Sequence, residues 1–99
     1  MSKQDNLPSE GPNIVTDLPG PKAKELVEAD GEVISPSSPR AYPLAVDRAQ
    51  GLTVTDVDGN TFWDFASGIA VTNVGHRHPK VAEAAKDQLD SLIHPAFCD

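Results

Sequence analysis

Leu52-Thr53-Val54-Thr55-Asp56-Val57-Asp58-Gly59-Asn60-Thr61-Phe62-Trp63-Asp64-Phe65 is the most strongly patterned run in a chain of 99 residues. Its first half is rich in β-branched residues that partly alternate, and its second half is aromatic. Between them, the Asp58-Gly59 pair supplies the positive-φ positions that hairpin turns need. The run predicts a β-hairpin over residues 52–65. Asp56, Asp58 and Asn60 also look like a piece of a calcium loop. That loop needs its glycine after the third ligand and an acid at the twelfth position, and Gly59 stands elsewhere. A hairpin turn is the better reading.

Beyond the hairpin, Ala66-Ser67-Gly68-Ile69-Ala70-Val71-Thr72-Asn73-Val74-Gly75 is small and apolar, with neither clean alternation nor a helical stripe. It reads as an extended passage that another backbone or a ligand approaches closely. Pro79 then opens a helix, with Val81, Ala84, Ala85, Leu89, Leu92 and Ile93 on one apolar stripe and Glu83, Lys86, Asp87 and Asp90 on other faces. The acidic residues there read as a solvated face.

Toward the N-terminus, Pro21 fits a first helical position and Gly31 the residue just past the end, so a short helix is expected between them. Pro36, Pro39 and Pro43 make the following segment an extended connector. Residues 1–17 mix Ser, Gly, Pro and charge without periodicity and read as a loose arm; residues 18–99 read as the N-terminal portion of a larger, incomplete domain.

Fifteen acidic residues against eight basic ones give a net charge of −7. No Lys or Arg cluster is present to neutralise phosphates, so nucleic acid is excluded as a partner, and an anionic membrane surface is not attracted. No apolar run reaches the roughly 18 residues of a membrane span, and the first residues carry no apolar signal core. Cys98 is the single cysteine, which rules out an intrachain disulfide and fits a reducing compartment. The cytoplasm is the expected location.

Asp56-Val57-Asp58-Gly59-Asn60, Phe62-Trp63-Asp64-Phe65, Gly68-Ile69-Ala70-Val71 and Gly75-His76-Arg77-His78-Pro79-Lys80-Val81 come in this order within residues 56–81, separated by one to three residues. In this order and spacing they resemble the opening of class III (ω-) aminotransferases. Leu18 to Ala23 and Tyr42 to Gly51 are more weakly similar. The resemblance implies an α/β chain, the N-terminal segment of a fold type I transferase: extended arm, short helix, β-hairpin and amphipathic helix, without most of the large domain. It also implies a homodimer, pyridoxal phosphate as cofactor, and transfer of an amino group from an ω-amino acid such as 4-aminobutyrate to a 2-oxo acid. Acetylornithine and ornithine transaminases of the same family are the nearest alternatives.

Such an enzyme needs a Schiff-base lysine, a phosphate cradle and an acid near the pyridine nitrogen. Lys3, Lys22, Lys24, Lys80 and Lys86 all lie in polar or helix-surface settings, and no glycine-rich loop feeds a helix N-terminus. The chain alone is therefore expected to be a catalytically inactive portion, with no catalytic or cofactor-binding residue of its own. The resemblance carries over two substrate-pocket positions. Ile69 stands where an aliphatic side chain is common in 4-aminobutyrate enzymes and an aromatic in ornithine enzymes. Cys98 stands where relatives hold Gln, Thr or Tyr, and cysteine departs from that pattern. Ordinary packing beside the hairpin remains the alternative for Ile69, and a small buried hydrophobe for Cys98.

His76-Arg77-His78, with Asp64, His94 and Cys98, invites a metal reading, but nothing in the sequence makes three or four ligands converge. The plainer expectation is that His78 and its neighbours satisfy backbone groups at the entry to the helix, with no metal bound. A reading from another class also stays open: a small non-catalytic binding domain built on the hairpin and the helix stripe.

Overall fold

A computed structural model describes residues 12–95. Its elements are helix α1 (Pro21–Val33), strands β1 (Val46–Gln50), β2 (Thr53–Asp56) and β3 (Thr61–Trp63), a single turn α2 (Ser67–Ala70), and helix α3 (Pro79–Leu89). The strands form one antiparallel sheet in the order β1-β2-β3. Thr53 faces Trp63 and Val54 faces Phe62 across the expected hairpin.

The turn of the hairpin is built by side chains as much as by backbone. Gly59 alone carries the positive φ, at 86°; the Asp58-Gly59 pair does not share it. Asp56 accepts backbone N–H bonds from Asp58 (2.9 Å) and Asn60 (2.8 Å) on Oδ1, and the Asn60 amide donates to its Oδ2. Asn60 is wholly enclosed and Asp56 nearly so. A buried amide this small is tolerated because its hydrogen bonds are made. Its Oδ1 accepts from the N–H groups of Val15 and Thr16, and its Nδ2 also donates to Thr16 Oγ1.

Those bonds change the reading of the N-terminal arm. From Pro12 onward the arm is fastened, since Asn13 also pairs with Thr61 in both directions. Residues 1–11 lie outside the described part.

Pro21 opens α1, as its preset φ allows. Its N-cap residue, Gly20, has no side chain to cap with. The Asp58 carboxylate does so from the hairpin turn, accepting from Lys22 N–H and Ala23 N–H at 2.9 Å each. A Cβ on residue 20 would run into that carboxylate, which explains the glycine. Gly31 was expected beyond the helix, yet α1 continues through it to Val33. Gly31 is not left-handed, and the helix stops instead at Val33, with Ile34 already extended two residues before Pro36. Arg40, in the proline-rich connector, returns to Asp30 of α1 with a two-pronged ion pair.

Three further expectations are corrected. Strand β1 was not foreseen; its sequence, Val-Asp-Arg-Ala-Gln, is polar and mostly exposed, as suits an edge strand, and its register slips between Val46 and Arg48. The passage after the hairpin is not extended: Ser67, Gly68, Ile69 and Ala70 take φ of 54°, 61°, 61° and 64°. They make one left-handed turn. Finally, α3 ends at Leu89, and beyond it the N–H groups of Ser91 and Leu92 share the Gln88 carbonyl as the last turn tightens. Leu92 and Ile93 are therefore not part of its helical stripe.

Candidate functional site

A left-handed turn costs an L-residue roughly 1–2 kcal/mol at each position other than glycine, and Ile is among the worst residues to place there. Such a conformation persists only when its surroundings over-determine it. The surroundings here centre on Asp64, the residue after β3. Its Oδ1 accepts N–H bonds from Ala66 and Ser67, both at 2.9 Å. Its Oδ2 lies 2.7 Å from His76 Nε2. An ionised carboxylate only accepts, so the imidazole presents Nε2–H to it. These bonds, that from His76 first, hold the Asp64 carboxyl below the usual aspartate range.

Both partners are anchored to one place, the Gly51-Leu52 connection between β1 and β2. Asp64 N–H donates to the Leu52 carbonyl, and His76 exchanges both backbone bonds with Gly51, all at 2.9 Å. Gly75 takes φ of 93°, and a Cβ there would stand 3.2 Å from Gly51 Cα. The two glycines let the strand connection and the Gly75-His76 segment touch. Leu52, Gly51, His76 and Asp64 thus form a rigid post beneath the left-handed turn.

The turn lifts Ile69 away from the sheet. Its side chain is 92 % exposed, so it is not packed beside the hairpin. It borders a cavity of about 770 Å³ whose walls include Leu18, Tyr42, Leu44, Phe62 and Trp63. The ionisable groups on that wall are Asp56, Asp64 and His76, and each is bonded inward. What the wall offers to a ligand is therefore chiefly hydrocarbon and aromatic surface. Of the two pocket positions carried over by resemblance, Ile69 borders this cavity and Cys98 lies outside the described residues. Asp64 and His76 stand in the sequence as members of the runs that carry the resemblance and as possible metal ligands, not as a bonded pair. Their bond, spanning twelve positions, could be read only as the Asp and the Gly-His of one motif.

His78 accepts from Lys80 N–H at the mouth of α3, as the capping expectation has it. His76 instead spends its ring on Asp64. Among the described residues no three His, Cys, Asp or Glu side chains are placed to hold a metal ion, and no helix is long and apolar enough to cross a membrane.

The described residues do not fit pyridoxal phosphate. Lys22, Lys24, Lys80 and Lys86 are all exposed on helices. The N–H groups that open α1 are occupied by the Asp58 carboxylate, which would repel a phosphate. No chemical step through the cofactor is assigned to these residues.

The family profile described as Aminotransferase class-III matches residues 34–98. An alanine/serine racemase of Pyrococcus horikoshii is 42 % identical over 86 residues, which are 86 % of this chain and 18 % of that protein. The 4-aminobutyrate aminotransferase GabT of Escherichia coli K12 is 43 % identical over 74 residues, 75 % of this chain and 17 % of that one. Among solved structures, the acetylornithine aminotransferase of Elizabethkingia anophelis superposes with a TM-score of 0.68 at 28 % identity, covering 78 % of this chain and 19 % of that chain. The chain thus spans less than a fifth of the length of these relatives.

Proposed function

The chain belongs to the class III aminotransferase family, and on that footing we propose that the protein of which it is the N-terminal part moves an amino group from an ω-amino acid of the 4-aminobutyrate type to a 2-oxo acid. The activity needs pyridoxal phosphate, which supplies the electron sink of the reaction, and a homodimer in the cytoplasm is the setting this reading carries with it. Residues 12–95 contribute a substrate wall and no reacting group. Cys98, carried over by resemblance, is a second candidate for that wall.

One observation carries the proposal: the left-handed turn sets Ile69, exposed and aliphatic, against a cavity walled by apolar side chains. An ω-amino acid is a methylene chain with charge at both ends. An aliphatic wall suits its middle, at about 0.8 kcal/mol for each methylene removed from water. Acetylornithine and ornithine are longer donors that the same wall would meet.

Ile69→Tyr in the full-length protein tests this directly. The substitution puts at this position the aromatic that the resemblance associates with ornithine enzymes and removes the aliphatic surface that suits a short methylene chain, so kcat/KM for 4-aminobutyrate is expected to fall about tenfold relative to ornithine. An unchanged donor profile would remove Ile69 from the substrate wall.

The racemase relative supports a second reading, inversion of a small amino acid without any oxo-acid acceptor. Its identity, 42 % over 86 residues, is close to the 43 % over 74 residues of the aminobutyrate enzyme. Supplying the protein with L-alanine alone, then with 4-aminobutyrate and a 2-oxo acid, separates the two: D-alanine in the first mixture favours racemisation, and amino transfer in the second favours the proposal.

A further inference from the structure

We propose that Asp64 and His76 are positioning residues for donor selectivity, acting through the left-handed turn that presents Ile69. The inference rests on the reading of Ile69 as substrate wall and deepens it. Three of the four residues in the turn are non-glycine, so the conformation does not hold by preference. Within the turn itself the bonds are few: Ala70 N–H to the Ala66 carbonyl, and the N–H groups of Val71 and Thr72 to the Ser67 carbonyl. The entry N–H groups of Ala66 and Ser67 have no carbonyl to meet, and the Asp64 carboxylate takes both.

A carboxylate on a short side chain can hold two N–H groups and still swivel about its own bonds. His76 stops that motion by donating to the other oxygen, and its own backbone is fixed in both directions to Gly51. The chain of support runs from the sheet, through Gly51 and His76, to Asp64, and from there to the turn and Ile69. None of these side chains need touch the substrate.

The test uses the full-length protein and the ratio of kcat/KM for a four-carbon and a longer ω-amino donor. His76→Leu removes the bond to Asp64, whereas His76→Gln keeps an amide donor within reach. Asp64→Asn keeps one acceptor oxygen, and Asp64→Ala removes both. With the turn loosened, the ratio is expected to shift about tenfold toward unity in His76→Leu and Asp64→Ala, the size associated with one charge-assisted hydrogen bond. It should return toward wild type in His76→Gln.

The deciding measurement repeats His76→Leu and Asp64→Asn in an Ile69→Gly background. If the pair acts through Ile69, neither substitution changes the ratio there, and the effects are non-additive. Equal shifts in both backgrounds, or no shift in either, would overturn the proposal. Faster amide exchange at Ala66 and Ser67 in the same variants is expected, and wild-type protection would also count against it. If Ile69→Gly and Ile69→Tyr themselves leave the ratio untouched, both this inference and the substrate-wall reading fall. If they shift it and the Asp64 and His76 variants do not, this inference alone is lost. Asp64→Asn and His76→Leu keep the test intact should Asp64→Ala fail to fold.

Discussion

Asp56 and Asp64 stand at opposite ends of β2 and β3 and are kept ionised by different surroundings. Burial pushes the Asp56 carboxyl up, but the bonds it accepts from the Asn60 amide and from the backbone of Asn60, Asp58 and Gly59 outweigh that and leave it below the ordinary value of 3.8. Asp64 is lowered chiefly by His76 and then by Ser67 N–H. A carboxyl whose folded pKa lies below its unfolded one contributes stability that is complete above the unfolded value and lost as pH falls through the folded one. In the full-length protein, wild type is therefore expected to exceed Asp64→Asn in denaturant midpoint at pH 5, and the margin should shrink at pH 3. Denaturant unfolding at the two values checks this, and a margin no smaller at pH 3 would contradict it. Residue types at this scale were only partly legible. Ile69 was singled out through its place in a motif, but its exposure was not foreseeable, since an isoleucine read alone belongs in a core. The Asp64–His76 bond was illegible because it exists only once Gly75 and Gly51 touch.

Elements carry the second scale, and here a cap reaches across 36 positions from the hairpin turn to α1. Asp58 replaces the side chain that Gly20 lacks, so the hairpin and the helix are stabilised by one carboxylate. Asp58→Ala is expected to cost about 1 kcal/mol, within the range for a lost N-cap of about 0.5–2 kcal/mol. Gly20→Ala should cost at least as much, because its Cβ displaces the same carboxylate. Combined, the two changes should cost little more than the larger alone, since both remove one interaction. Chemical denaturation of the four proteins measures this, and full additivity would refute the shared cap. Pro21, Pro79 and the run 52–65 made both helix starts and the hairpin legible, because each signal is local. β1 was missed because Asp47, Arg48 and Gln50 mask its alternation, and the left-handed turn because small residues are compatible with many conformations. Gly31 misled because a glycine ends a helix only if the chain turns left-handed there.

For the molecule as a whole, the resemblance in residues 56–81 was legible from order and spacing, and the match over residues 34–98 agrees with it. The reaction was less so: a racemase and a transaminase share this region to nearly the same degree, so the choice between them is not written in its identity. What the region does decide is how well it stands by itself. Among the described residues, Ala23 and Val54 are the buried apolar side chains, while Phe65, Ile69, Val71 and Ile93 lie almost bare. One fully buried valine contributes about 1.5–3 kcal/mol, and ordering even a few backbone residues costs that much. The polar clasp around Asn60 fixes local geometry, yet it does not supply a hydrophobic driving force. Bare apolar faces of this kind seek cover from other protein surface. The 99-residue chain expressed alone is therefore expected to self-associate and to unfold over a broad temperature range. Sedimentation velocity with differential scanning calorimetry checks both at once. A monomer that melts in one sharp transition would mean that these faces close on each other in solution, and the dependence on further protein argued from their exposure would be lost.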